Sequence, residues 1–234
     1  MTLIKQESTY SADGQITMSG ELLRKVIHLC SLSIPVGYYF LSYSTTLWIL
    51  IPFTILALLI DYGRFYIPLI NRFFNWAFSS ILREHERDIE RKLLSGGSYV
   101  LISACLCILI FPKIIAITAF TILIISDTAS ALIGRRFGKN HFLDKSLEGT
   151  LAFIISAWVV VIIAPKVNNN WIEYLLGFVG AVIGGIIEAM SVRLRVDDNF
   201  SVPLAIGIII WGEYYILSLI GPAQFDSIYR ALVK

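Results

Sequence analysis

Charged and hydrogen-bonding residues gather at four points of an otherwise oily chain, and their types suit the handling of a metal-bound phosphate. The first is the stretch Glu21-Leu-Leu-Arg24-Lys25-Val-Ile-His28. Helical spacing sets His28 one turn beyond Arg24, with Glu21 three residues before it, so the three share a face. The second runs from Asp127 to Thr150, DTASALIGRRFGKNHFLDKSLEGT, between two long apolar runs. An unpaired carboxylate within a hydrocarbon layer costs about 2.5–3.5 kcal/mol even on lenient scales, so Asp127 needs a cation. Gly134 and Gly138 are expected to interrupt or end the helix that carries Asp127, freeing backbone N–H groups for an anion. Arg135, Arg136, Lys139 and Lys145 supply positive charge. The third and fourth points are Glu188 and Asp197-Asp198-Asn199. Oxygen donors are what Mg²⁺ or another divalent cation takes, and Asp127, Asp198 and Asn199 are the expected ligands. Arg24, Lys25 and the basic residues after Gly134 would pair with phosphate oxygens. A triphosphate chelated to Mg²⁺ satisfies both signs at once.

Plainer readings compete at each point. Arg24 and Lys25 also suit basic anchors that snorkel to a membrane surface, although that leaves His28 unexplained. Asp198 and Asn199 precede a Phe200-Ser-Val-Pro203 helix start and would serve as N-caps. The 134–139 stretch is not a P-loop. Three residues rather than four separate its glycines, and Lys139 is followed by Asn140 rather than Ser or Thr.

The elements that position these residues must be membrane helices. Of 234 residues, 56% are hydrophobic and only 15% charged, with a mean hydropathy of +0.74. A soluble domain carries nearer a quarter charged residues. The net charge of +2 is too mild for a nucleic-acid binder. A hydrocarbon core of about 30 Å needs roughly 20 residues of helix. Seven spans are expected, at about 25–43, 45–60, 97–112, 114–134, 149–165, 171–190 and 200–220. The chain thus reads as an all-α integral membrane protein, with a polar tail over 1–20 and a single helical domain over 21–234. The tail lacks the apolar core and small-residue cleavage site of a signal peptide.

Seven spans put every Lys and Arg except Lys113, Lys166, Arg230 and Lys234 on the side of the N-terminus. The positive-inside bias then orients that side to the cytoplasm. Between the second and third spans, RFFNWAFSSILREHERDIERKLL suits a helix lying at the interface, with Asp88 and Lys92 as a favourable helical pair. Gly180 and Gly184 form a small-residue face for close helix packing. Cys30, Cys105 and Cys107 fall inside apolar runs and show no metal spacing.

Taken together, the motifs resemble those of the membrane lipid kinases that include dolichol kinase, phytol kinase and the CTP-dependent diacylglycerol kinases. The pattern is E-L-L-R-K-V-I-H at 21–28, D-T-A-S-A-L-I-G-R-R-F-G-K at 127–139, K-S-L-E-G-T at 145–150, Glu188, and D-D-N-F-S-V-P at 197–203, spanning about residues 20–220. The resemblance implies CTP as phosphoryl donor, a divalent metal, and a membrane-borne alcohol as acceptor. The acceptor would be a polyprenol, dolichol, phytol or diacylglycerol. Asp127, Glu148, Glu188 and His28 are the candidates to position that alcohol or take its proton. The residues themselves do not choose among them. Compact length leans towards a prokaryotic inner membrane.

Two rivals remain at this level. Phosphatidate cytidylyltransferases share the central motif but add a glycine-and-histidine-rich block with two Asp, which this chain replaces with SVRLRVDDNFSVPL. A small transporter would carry ionisable residues deep within its spans. Glu213 is the one such candidate, because Glu173 is expected at the outer interface beside Trp171.

Overall fold

The computed structural model describes residues 18–79, 81, 82, 86, 90, 92–194, 196–220 and 223–233. Residues 1–17 of the tail expected over 1–20, Arg83, Arg87, Asp88 with its pairing to Lys92, Arg91, Arg195 and Lys234 lie outside these residues, and residues 18–20 of that tail already belong to the first helix. The elements are α1 (Met18–Cys30), α2 (Ser33–Phe40), α3 (Tyr43–Gly63), α4 (Pro68–Phe78), α5 (Gly96–Ile110), α6 (Lys113–Phe137), a hairpin of β1 (His141–Phe142) and β2 (Lys145–Ser146), α7 (Leu147–Ile163), α8 (Trp171–Ala189), α9 (Ser191–Leu194), α10 (Asp198–Ile220) and α11 (Ala223–Val233). Their apolar composition and length make this an all-α membrane protein. Four helices, α3, α6, α8 and α10, are long and apolar enough to cross a bilayer, and α5 and α7 are shorter apolar helices.

The expected first span over 25–43 is not one helix. It breaks at Ser31–Leu32 into α1 and α2. Pro35 accounts for the break, because it has no N–H to give the Ser31 carbonyl and its ring would crowd that oxygen. Set in the first turn of a new helix, where N–H groups have no intrahelical partner, the same proline costs nothing. Helices cover the other expected spans, with ends moved by at most three residues.

Helix α6 is the hub. It packs on α7, α10, α1, α2 and α5, and Ala119, Ile122, Leu123 and Ile124 are fully buried along it. Helix α8 carries the glycine face. A Cβ on Gly180 would come within 2.7 Å of Ile210, and one on Gly184 within 2.6 Å of Ile206, so these glycines let α8 and α10 touch along their backbones. Helix α4 buries Phe74 and exposes Leu69, Phe73 and Trp76, the one-sided pattern of a helix lying along an interface.

Glu173, expected at the outer interface, is buried in the first turn of α8. It completes a capping box with Asn170, accepts from the backbone N–H groups of Val167 and Asn168 at 2.7 and 2.9 Å, and receives the Tyr214 hydroxyl at 3.0 Å. It is a structural carboxylate.

Candidate active site

Asp127 sits three turns before the end of α6, Glu188 in the last turn of α8 and Asp198 in the first turn of α10. All three are buried, and one carboxylate oxygen from each lies within 4.8 Å of the others. Two lysines reach this acidic cluster. Lys25 of α1 donates to Asp127 Oδ2. Lys145 of β2 donates to Glu188 Oε1 and lies 3.2 Å from Asp198 Oδ2. Burial alone would lower the Lys145 ammonium, but the carboxylates of Asp198 and Glu188 outweigh it and hold its pKa above the ordinary lysine value. Ser130, three residues beyond Asp127, donates to Glu188 Oε1 at 3.1 Å.

The choice between cap and cluster for Asp198 resolves in favour of the cluster, because Asp197 does the capping. Its Oδ1 accepts from Asn199 N at 3.0 Å and Asn199 Nδ2 at 2.9 Å, and its carbonyl accepts from Phe200 and Ser201. Asn199, an expected metal ligand, is tied to Asp197 through its side-chain amide.

Around the cluster stands a basic and imidazole rim. His28 Nε2 lies 3.5 Å from Asp127 Oδ2, beyond good hydrogen-bond range, and has no partner among the described residues. Arg24 pairs with Glu21 at 2.7 Å, and Arg135 approaches the other Glu21 oxygen at 3.7 Å. The rest of the expected phosphate-binding set lies farther out. Arg136 is exposed with its guanidinium 5.3 Å over the Phe137 ring, and Lys139 is exposed as well.

Of the two glycines, Gly138 ends the helix as its C-cap, but Gly134 does not interrupt it. Helix α6 runs through Gly134 to Phe137, and the N–H of Gly138 bonds to the Gly134 carbonyl at 2.9 Å. Gly134 instead permits a close approach of α7. A Cβ there would stand 2.9 Å from Ser146 Oγ and 3.3 Å from the Gly149 backbone. The N–H groups freed beyond the helix, those of Lys139 and Asn140, are met by an anion from within, the carboxylate of Glu148 at 3.1 to 3.3 Å. The Glu148 carboxyl is held below the usual range chiefly by a hydrogen bond from its own N–H, with those of Lys139 and Asn140 adding to it. It braces the loop, and its hydrogen bonds run to that loop rather than to the acidic cluster.

A cavity of about 750 Å³ opens among α1, α2, α3, α4 and α5. Most of its wall is aliphatic and aromatic. Arg24, Lys25, His28, Asp127 and Asn199 form one end. Glu188, Asp198 and Lys145 are not part of the wall. Asp127 therefore stands between the two spaces, with His28 on the cavity side and the other carboxylates behind it.

Sequence reasoning missed a second polar knot on the same wall. Asp61, at 1% exposure, forms an ion pair with Arg64, whose Nε lies 2.8 Å from Oδ1 and donates to the Asp61 carbonyl at 3.2 Å, while Oδ2 accepts from Ser95 N and Oγ at 2.7 and 2.9 Å and from Ser98 Oγ at 2.5 Å. The Arg64 guanidinium lies 4.3 Å over the Phe74 ring, which pins α4 beneath the end of α3. Glu86, also buried, accepts from Gly96 N at 2.8 Å. The signal was Asp61 and Arg64 at i, i+3, just where the apolar run of α3 ends. Glu213, the candidate of the transporter reading, leaves Oε2 buried without a partner among the described residues, and it forms no cluster.

No family model matches the chain, and no solved structure matches it. Curated proteins do. An uncharacterised protein of Rickettsia prowazekii is 30% identical over 188 residues, 79% of this chain and 90% of that protein. The CTP-dependent diacylglycerol kinase 1 of Schizosaccharomyces pombe is 27% identical over 161 residues, 62% of this chain and 70% of the kinase. A probable chloroplastic phytol kinase of Triticum aestivum is 29% identical over 140 residues, 54% of this chain and 45% of the kinase. Membrane helices, a buried carboxylate–lysine cluster and these similarities agree: the chain is similar to the polyprenol kinase-like membrane lipid kinases, at 24 to 29% identity to those that are named.

Proposed function

We propose that the protein transfers the γ-phosphoryl group of CTP to the hydroxyl of a membrane-borne lipid alcohol. One observation carries this reading. Asp127 joins a buried cluster of carboxylates and lysines to the polar end of an apolar cavity. A soluble triphosphate and a greasy alcohol have no other reason to meet at one side chain.

The chain's own groups divide the work. Lys25, Lys145, Arg24 and Arg135 hold phosphate oxygens and stabilise the charge that spreads over them during transfer. His28, unpartnered and facing the cavity, takes the hydroxyl proton on Nε2 as the alcohol oxygen bonds to the γ-phosphorus. The bond from that phosphorus to the β–γ bridging oxygen breaks, and CDP leaves. Asp127, 3.5 Å from that nitrogen, stabilises the positive charge the imidazole acquires. Glu188 and Asp198 lie on the far side of Asp127, and Glu148 on the loop, so neither glutamate takes the proton. Arg136 and Lys139, at the exposed rim, steer the nucleotide inward.

Asp127, Glu188 and Asp198 fit a divalent cation: three oxygen donors converge, and Glu188 Oε2 has no hydrogen-bond partner among the described residues. Bound there, Mg²⁺ would neutralise and orient the phosphates. Asn199 is not assigned to it.

The α1–α2 pair, α3, α5, α6, α7, α8 and α10 make seven crossings in this reading, within one helical domain over 21–234. The bias of basic residues supports a cytoplasmic N-terminus and a site facing the cytoplasm. The rickettsial relative supports a prokaryotic inner membrane.

The test uses purified protein, Mg²⁺, a panel of lipid alcohols and lipid phosphates, and CTP labelled at the α or the γ phosphate. Label from the γ position in the lipid is the expected result. Label from the α position would make the protein a cytidylyltransferase, and no labelled lipid at all would end the kinase reading.

A further inference from the structure

The cavity is open, and the part of its rim between α1 and α3 faces hydrocarbon. Ile27 and Cys30 of α1 and Ile49, Phe53 and Leu56 of α3 line it and are also exposed. A residue both in the wall and exposed marks a rim. These α3 residues occupy the middle of a 21-residue apolar span, far from either aqueous end. A rim of large apolar side chains at that depth would be unfavourable against water and is natural against lipid.

The ends of the cavity differ. The inner end carries Arg24, Lys25, His28 and Asp127. At the other end Tyr38 is buried, and Lys113 donates to the Leu41 carbonyl at 2.9 Å with its ammonium 5.2 Å from the Tyr38 ring, closing the cavity there. A methylene fills about as much space as a water molecule in the liquid, roughly 30 Å³, so a cavity of about 750 Å³ holds one chain of about 25 carbons.

We propose that the acceptor alcohol enters sideways from the bilayer, through the gap between α1–α2 and α3. One hydrocarbon chain lies along Phe53 and Cys30, and its hydroxyl ends at His28. The proposal rests on the kinase reading for the fate of that hydroxyl, but not for the presence of the chain. Any further chain of the acceptor stays outside in the lipid.

Cys30 makes the gap measurable, because Cys105 and Cys107 are buried while Cys30 is exposed. The full-length protein in lipid nanodiscs, without nucleotide, is labelled with a bilayer-permeant maleimide. The label is absent in Cys30→Ser, which assigns the signal. A 20-carbon primary alcohol is expected to slow labelling at least fivefold, and an alkane of equal length less than twofold. An unchanged rate, or equal protection by the alkane, overturns the proposal. In parallel, Phe53→Ala and Phe53→Trp are expected to shift the KM for a long-chain alcohol about tenfold while the KM for CTP stays within twofold. Equal shifts in both constants would also overturn it. Protection of Cys30 without labelled product from γ-labelled CTP would keep the gap and sink the kinase reading. Product without protection does the reverse.

Discussion

Lys145 bridges two helices that carry no positive charge of their own at this point, donating to Glu188 of α8 and lying 3.2 Å from Asp198 of α10. Its side chain is 27% exposed while that of Glu188 is 2% exposed, so the pair straddles the boundary between solvent and core. Removing the ammonium leaves two buried carboxylates facing each other. Lys145→Met is expected to lower phosphoryl transfer on the order of a hundredfold or more, the typical effect of deleting a charge-stabilising donor. It should also destabilise the fold by about 3 kcal/mol, as breaking a buried pair does. Activity with γ-labelled CTP and thermal unfolding in one detergent check both. Because the Lys145 pKa is raised, its contribution is complete below the ordinary lysine value near 10.5 and fades only as pH rises through the folded value. The deficit of the variant is therefore expected to be flat between pH 6 and 9, and a deficit that changes there would reassign the residue.

Asp127 and Glu213 separate enzyme from transporter. Asp127→Asn keeps the volume but removes the charge that holds Lys25, and is expected to cost about a thousandfold in activity. Glu213→Gln is expected to stay within threefold of the parent. The opposite ranking would return the membrane-embedded acid to consideration.

Gly134 distinguishes packing from phosphate binding. Its missing Cβ lets α7 approach, so Gly134→Ala is expected to destabilise by roughly 1–3 kcal/mol, the cost of overpacking a tight contact. Activity falls with it, because the displaced segment carries Lys145. A variant of unchanged melting temperature and raised KM for CTP would instead mean that the glycine backbone touches the nucleotide.

Glu148 gives the loop a pH dependence. Its folded pKa is depressed, so its stabilisation is present above the unfolded value near 4.5 and lost as pH falls through the folded one. Hydrogen exchange at the Lys139 and Asn140 amides is expected to speed up below that value beyond the intrinsic trend. Glu148→Gln should show fast exchange already at neutral pH and little further change on acidification. Equal exchange in parent and variant at pH 7 would show that the carboxylate does not hold the loop.

The knot at Asp61 is expected to behave as structure. Asp61→Asn and Arg64→Ala each break a buried pair and should cost about 3–5 kcal/mol. Arg64→Ala also frees Phe74 of α4. Protease cleavage between α4 and α5 should rise in both variants at temperatures where the parent resists.

Much of the cluster was readable because charge inside an apolar run has few innocent explanations. Asp127 and Glu188 stood out by that test, whereas Lys145 and Asp198 lie in charged loops and were singled out by the company of the other motifs. Four features were hidden for local reasons. Periodicity continues smoothly across Ser31, so the break between α1 and α2 shows only through Pro35. Gly134 offers the same letters whether it ends a helix or admits a neighbour, and only the position of Ser146 and Gly149 decides. Asp61 lies one residue beyond the expected end of its span, where an acid counts as loop. Asp197 and Asp198 are adjacent in sequence, so which of them caps and which turns inward is decided by helix phase.

The carboxylates and their lysine partners also leave the ribosome in a fixed order: Lys25, Asp127, Lys145, Glu188, then Asp198. Until Asp198 arrives with α10, Lys145 has half of its counter-charge and α6 lacks one of its packing surfaces. The acidic cluster is thus complete only once the last long helix of the chain has been made.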